Sequence, residues 1–294
     1  MSIYLYLDSK RGEDFRVAER VMAVSGQHYE IGDRIDCGGN AVVHRCEDTI
    51  TGDDYAVKFQ LAISWKRLQR FKREIDLLKQ SKHDQLISYI DHGQVVASHV
   101  SGNGRLRREE EVTLSFVIMT LAESNLKTLV QKRNSALPYE DYIGQFKGLA
   151  RALGVLHEKA VHRDIKPENI LIKGETWLLS DFGLCEILEC QDDLTGVDEA
   201  VGPRYWMSPE AINRAIGNTD VISKQSDVFQ LCSVFWFVVT GRHPSGSVSR
   251  SDWSGSVGLY SVLADALSHN QTRRPADGME LARRLDDATL PVTS

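Results

Sequence analysis

The feature that most limits what this 294-residue chain can fold into is a change of hydrophobic period near Leu121. From Tyr29 to about Thr120 the apolar residues sit in short β-type runs, Val42–Cys46, Tyr55–Phe59 and Thr113–Met119, broken by turn signals such as Thr51-Gly52-Asp53. One helix interrupts them, because Trp65, Leu68, Phe71, Ile75 and Leu78 recur at steps of three and four and share a face over about Ile63 to Gln80. Beyond Leu121, Ile143, Phe146, Ala150, Leu153 and Leu156 trace a long helix, and Val228 to Val239 gives a second that is apolar almost throughout. Side chains alternate on a strand and repeat every 3.6 residues on a helix, so the two halves build different architectures. The pattern predicts an α+β protein of two lobes, with residues 29–121 the smaller, strand-rich one and 122–294 the larger, helical one, joined near Leu121 to Asn125. Residues 1–28 read as an N-terminal extension outside the domain, and Ser101 to Glu111, rich in Gly, Arg and Glu, reads as a solvated loop.

Composition narrows the function classes. A hydrophobic content of 42% supplies an ordinary buried core, and a net charge of −6 argues against a broadly basic nucleic-acid surface. No apolar run approaches the ~18 residues of a membrane span, and the opening segment, interrupted by Asp8 and Lys10, lacks signal-peptide regions. The cysteines, Cys37, Cys46, Cys185, Cys190 and Cys232, are scattered without a CxxC pair and read as reduced thiols. These observations point to a cytoplasmic protein with neither nucleic acid nor membrane as partner, and they leave the oligomeric state open.

Chemistry concentrates in a few runs. Val161-His162-Arg163-Asp164-Ile165-Lys166-Pro167-Glu168-Asn169 follows the long helix and precedes the apolar strand Ile170-Leu171-Ile172. Ser180-Asp181-Phe182-Gly183 comes next, after a short strand around Trp177 to Leu179. Upstream lie Tyr55-Ala56-Val57-Lys58-Phe59 and a single Glu74 on the amphipathic helix. In this order and spacing the set resembles the signatures of the eukaryotic-type protein kinase family, Ser/Thr kinases in particular, over about Tyr29 to Leu285. The resemblance implies a bilobal protein kinase-like fold: a small β-rich N-lobe with one main helix that binds ATP, and a helical C-lobe that binds substrate. It implies transfer of the γ-phosphoryl group of ATP to hydroxyls of protein substrates, with ATP and Mg²⁺ as cofactors.

By the same resemblance Asp164 is the catalytic base, with Lys166 and Asn169 beside it, and Asn169 and Asp181 are the metal ligands. Lys58 would contact the α- and β-phosphates with Glu74 as its ion-pair partner, while Ile35, Gly38, Gly39, Val43, Ala56, Met119, Thr120, Ala122 and Leu171 would surround the nucleotide. The glycine-rich loop departs from the pattern: of GxGxxGxV only the middle glycine survives, as Gly38, with Asp36 and Ala41 in place of the outer two. Asp36 is expected to weaken nucleotide binding unless its carboxylate turns away, and Gly38, Gly39 and Asn40 to supply a flexible turn. Downstream, Met207-Ser208-Pro209-Glu210 and Arg273-Arg274-Pro275 imply a buried Glu210–Arg274 pair. Lys166 favours Ser/Thr specificity, whereas Pro203 to Glu210 is closer to the tyrosine kinase pattern, and a pseudokinase binding module is the other alternative. Between Gly183 and Pro203 the chain has Glu186, Glu189, Asp192, Asp193, Asp198 and Glu199, with Thr195 the one hydroxyl and no basic residue. By the same resemblance, counting back from Glu210, Glu199 falls where many Ser/Thr kinases carry an activating phosphothreonine, which makes it the acid expected to face Arg163, with phosphorylation of Thr195 the competing switch.

Overall fold

Period-two segments build one antiparallel sheet at the start of the chain, seen in a computed structural model that describes residues 2–7, 13–38, 40–62, 64–101, 108–133, 137–188 and 205–290. Two compact units result, residues 1–80 with 88–122, and residues 81–87 with 123–294.

The first unit contains β1 (Ser2–Tyr6), β2 (Glu13–Ala18), β3 (Arg20–Met22), β4 (His28–Cys37), β5 (Ala41–Asp48), β6 (Asp54–Gln60), α1 (Trp65–Gln80), β7 (Tyr89–Ser101) and β8 (Arg108–Thr120). The expected strands and helix are therefore present, each longer or shorter by a few residues. Strand order is β1-β2-β7-β8-β6-β5-β4-β3. Register sets Val42 beside Phe59 and Phe59 beside Phe116, while Val57 stands beside Ile118. That face is a closed apolar core, joined by Leu5, Phe15, Val17, Tyr29 and Leu114. Each such side chain withdrawn from water contributes about 1.5–3 kcal/mol.

Two expectations need correction here. Residues 1–28 are not outside the fold: β1 pairs with β2, β2 with β7, and β3 with β4. The reason is tertiary, since Leu5, Leu7, Phe15 and Val17 cover the sheet face formed by Val42, Val57, Phe59 and Phe116. The sheet curls until β1 reaches β4, where the Arg34 guanidinium lies 4.7 Å over the Tyr6 ring. The solvated loop expected over Ser101–Glu111 is shorter, because Ser101 pairs with Arg108 and the β7–β8 ladder includes Glu109, Glu110 and Glu111.

The second unit holds β9 (Ser124–Asn125), α2 (Leu126–Lys132), α3 (Tyr139–His157), β10 (Ala160–Val161), β11 (Ile170–Lys173), β12 (Thr176–Leu179), β13 (Glu186–Ile187), α4 (Pro209–Ala215), α5 (Lys224–Thr240), α6 (Val257–Ala266) and α7 (Gly278–Asp287). The centre is α5, buried on nearly all sides, whose Phe235 stacks on Phe146 of α3 with ring centroids 4.0 Å apart. It stops at Gly241, whose φ of 71° suits a residue without a side chain. The α7 helix crosses α3 at two glycines, since a Cβ on Gly278 would stand 2.3 Å from the Gly154 nitrogen. Residues 81–87, expected in the first lobe, belong here instead: Ile87 N–H donates to Leu179 O and Leu179 N–H to Gln85 O, which adds them to β12.

Candidate active site

In the first unit, strand alternation sends Val57 and Phe59 into the apolar core and so turns Ala56 and Lys58 to the other face. Val43 and Val117 flank Lys58 across the ladder, and Met119 stands opposite Ala56, so Val43, Ala56, Lys58 and Met119 share that face. Lys58 Nζ donates to Glu74 Oε1 at 2.6 Å, with side chains only 13% and 5% exposed. Glu74 is held there because Phe71, Ile75 and Leu78, on the same helix, are buried. A pair this sealed costs several kcal/mol to break from one side, since the remaining charge stays in low dielectric.

The turn between β4 and β5 is tight. Gly38 N–H donates to Ala41 O at 2.9 Å, and Gly38 lies outside the left-handed region, so its glycine is not needed for an unusual backbone angle. Gly39 lies outside the described residues. Asp36 is exposed, and its Oδ1 accepts the Cys37 N–H at 2.8 Å, which turns that oxygen onto the backbone. Ile35, also exposed, sits in the irregular register between Arg34 and Asp36. Thr120, the last residue of β8, donates its N–H to Ser88 O, and the half-buried Ala122 ends the unit.

In the second unit, β10 leads directly into His162, Arg163 and Asp164. Asp164 is 5% exposed; its Oδ2 accepts from Lys166 Nζ and from Asn169 Nδ2, both at 2.8 Å. The same Asn169 nitrogen bonds Asp164 O, closing the loop on itself. Burial pushes the Asp164 carboxyl up from the ordinary value, with the Asp181 charge adding to it, against the opposing pull of Lys166 and His162. His162 donates from Nε2 to Ser180 O and accepts the Asp164 N–H at Nδ1. Its ring meets buried Phe182 edge-on at 5.6 Å, so Phe182 is a packing residue. Asp181 is exposed and has φ 64°, a left-handed backbone uncommon for a residue with a side chain. Leu171 stands on β11 opposite Leu178, half-buried between the buried Ile170 and Ile172.

Beneath this loop lies a residue in the first turn of α5. Asp227 is fully buried, and its two oxygens accept the His162 and Arg163 N–H groups at 2.6 and 2.8 Å and His157 Nε2 at 3.0 Å. Gln230, one turn on, accepts from Ile165 N–H. The other residue missed is Glu186, whose Oε2 accepts from Arg163 Nη1 at 2.7 Å. It was counted among several acids without a partner, and only the pairing of Val161 with Glu186 singles it out. Glu199, Thr195 and Pro203 lie outside the described residues. Glu210 and Arg274 do meet, through paired bonds of 2.7 and 3.0 Å.

Comparison with known proteins adds to this geometry. The family described as "Protein kinase domain" matches residues 29–279. A protein named "Probable serine/threonine-protein kinase PknB" from Bifidobacterium longum is 30% identical over 228 residues, covering 76% of this chain and 31% of that protein. A serine/threonine-protein kinase of Corynebacterium efficiens is 26% identical over 94% of this chain and 54% of its own length. The serine/threonine-protein kinase PrkC of Bacillus subtilis is 27% identical over 86% and 34%. The chain thus spans between about a third and about a half of the length of these relatives.

Proposed function

The chain belongs to the protein kinase family, and from that premise we propose that it transfers the γ-phosphoryl group of ATP to Ser or Thr hydroxyls of protein substrates, itself included. The observation that carries the reading is the buried Asp164, clamped by Lys166 and Asn169 with its Oδ1 accepting no hydrogen bond among the described residues. That oxygen takes the proton of the substrate hydroxyl as its oxygen attacks the γ-phosphorus and ADP leaves. A carboxyl whose pKa is raised by burial is a better proton acceptor than an ordinary aspartate. Lys166, bonded to the same carboxylate, sits where it can also face the transferred group, which favours Ser/Thr over Tyr specificity, as do the names of the relatives.

Residues of the first unit are assigned to the nucleotide: Lys58, oriented by Glu74, to the phosphates, and Ile35, Gly38, Gly39, Val43, Ala56, Met119, Thr120 and Ala122 to the remainder. Mg²⁺ fits the donor set of the second unit. Asn169 spends its nitrogen on Asp164 and keeps its oxygen, Asp181 offers an exposed carboxylate, and magnesium is commonly held by one or two protein oxygens plus substrate phosphates. When bound, the ion supplies neutralisation of the phosphate charge.

The test is radiolabel transfer from MgATP to the protein and to a mixed protein substrate, with phosphoamino-acid identification by mass spectrometry. Wild type should label Ser or Thr, and Asp164→Asn should bind MgATP in a thermal-shift assay yet transfer nothing. A wild type that binds MgATP without transfer would instead identify a pseudokinase, and label on Tyr would overturn the specificity.

A further inference from the structure

The stretch of β4 that enters the turn to β5 is loosely tied to its own sheet. On one side β3 stays in register with β4 only as far as Glu30, with a further bond from Ile31 N–H to Glu19 O. On the other side the ladder to β5 slips twice, between Ile31 and Arg34 and again between Arg34 and Asp36. A slipped ladder bends the strand and leaves residues without a regular partner, so the position of residues 32–37 needs a second support. The N-terminal strand β1 supplies it. Leu5 and Leu7 point inward and are buried in the apolar core against which Cys37 also packs. Tyr6, between them, faces outward, and the Arg34 guanidinium lies 4.7 Å over its ring. Tyr6 O in turn accepts from the Cys37 thiol, with Sγ 3.9 Å away. One residue of β1 thus meets β4 on both sides of Ile35 and Asp36. Arg34 has contacts besides this one, so the support is shared between the ring and the main chain of Tyr6.

We propose that Tyr6 is a positioning residue for nucleotide binding: from the N-terminal strand it holds residues 34–37, and so fixes where the turn between β4 and β5 stands. The inference rests on the kinase reading above, which assigns Ile35 and Gly38 to the nucleotide, and adds to it the element that sets their place. Tyr6 touches no group assigned to ATP and acts through β4 alone. A ring face attracts a guanidinium electrostatically, and at a site where Tyr6 is 44% exposed that attraction is modest. Its loss therefore weakens nucleotide binding several-fold rather than abolishing it. The penalty falls on binding because a turn that is not held in place must be ordered when ATP arrives, and the apparent affinity drops with the fraction of molecules already competent. The chemical step is spared, since Asp164 and its clamp belong to the second unit.

The experiment compares wild type, Tyr6→Ala, Tyr6→Phe and Tyr4→Ala for kcat, for KM of ATP and for the dissociation constant of MgATP by calorimetry, with melting curves for each. Tyr6→Ala should raise both KM and the dissociation constant about three- to sixfold while kcat stays within about twofold, a split that general unfolding would not produce. Tyr6→Phe, which keeps the ring face, should stay within about twofold of wild type throughout. So should Tyr4→Ala, which removes the other exposed tyrosine of β1. Should Tyr6→Ala fail to fold, Tyr6→Leu, which keeps apolar bulk without an aromatic face, carries the comparison. Amide hydrogen exchange of residues 34–38 is read in parallel without nucleotide and should rise in Tyr6→Ala but not in Tyr6→Phe. A wild type that binds no MgATP would overturn the kinase reading, and the exchange would still decide whether Tyr6 holds β4. Unchanged KM or unchanged exchange in Tyr6→Ala, an equal response in Tyr4→Ala, or a Tyr6→Phe that behaves like Tyr6→Ala would each overturn the proposal.

Discussion

Replacing Glu210 with glutamine removes one charge from a pair that water does not reach. The two side chains are 3% and 0% exposed, and the guanidinium meets both carboxylate oxygens, at 2.7 and 3.0 Å. Arg274 also bonds Ser268 O, Gln225 O and His269 O and lies over the Phe229 ring, so the variant leaves a buried cation that still has neutral acceptors. Breaking a buried pair from one side typically costs about 3–5 kcal/mol, and those acceptors place Glu210→Gln near the lower end. For a unit of this size that corresponds to a fall in Tm of about 6–12 °C. The pH dependence follows from the same contacts. Burial by itself would raise the Glu210 carboxyl, but hydrogen bonds from Arg274 and Ser226 outweigh it and hold the group below its usual value. A depressed folded pKa means stability that is present above the unfolded pKa and is lost as pH falls through the folded one. The wild type should therefore lose this contribution on acidification through and below the ordinary carboxylate range, and Glu210→Gln should not. Differential scanning calorimetry over pH 3–8, with Arg274→Met and the double variant Glu210→Gln/Arg274→Met, completes the cycle, the double variant being more stable than the sum of the singles predicts. A Tm within about 2 °C of wild type for Glu210→Gln, or strict additivity in the cycle, would refute the reasoning.

Three further expectations follow from the structure. Because burial raises the Asp164 carboxyl above its ordinary 3.8, the acid limb of kcat should lie above that value, and since a raised pKa penalises the ionised folded form, Asp164→Asn at neutral pH should melt no lower than wild type; a fall of several degrees would contradict this. Leu5→Ala removes a fully buried side chain from the sheet core and should destabilise the first unit by about 2–4 kcal/mol in urea titration, whereas an unchanged midpoint would mean that the N-terminal hairpin is dispensable. Asp36→Gly should change KM for ATP by less than about threefold, because an exposed carboxylate already bonded to the Cys37 N–H is weakly felt at a distance, and a tenfold fall in KM would show that it faces the phosphates.

The catalytic run, the Lys58–Glu74 pair and the main helices were legible because each is written locally. Consecutive residues in Val161 to Asn169 carry the loop, period two turns Lys58 away from Val57 and Phe59, and steps of three and four bury Phe71, Ile75 and Leu78 so that Glu74 is presented. What could not be read involved residues distant in sequence. Residues 1–28 carry short alternating runs that mean little until the core shows an apolar sheet face for Leu5, Phe15 and Val17 to cover. Residues 81–87 fall within the stretch expected for the first lobe, and only the bonds to Leu179 assign them to the second unit.

The same distinction holds at the site. By its resemblance to the kinase signatures the sequence singled out Asp164, Lys166, Asn169 and Asp181, which lie close together along the chain. It also determined the two-part architecture, because hydrophobic period is a property of neighbouring residues. Only the tertiary structure brought Glu186 to Arg163. Acidic residues are interchangeable as composition, and a charge finds its partner by position in space: the two-residue ladder of β10 and β13 brings Glu186 to within 2.7 Å of a guanidinium that burial obliges to be paired.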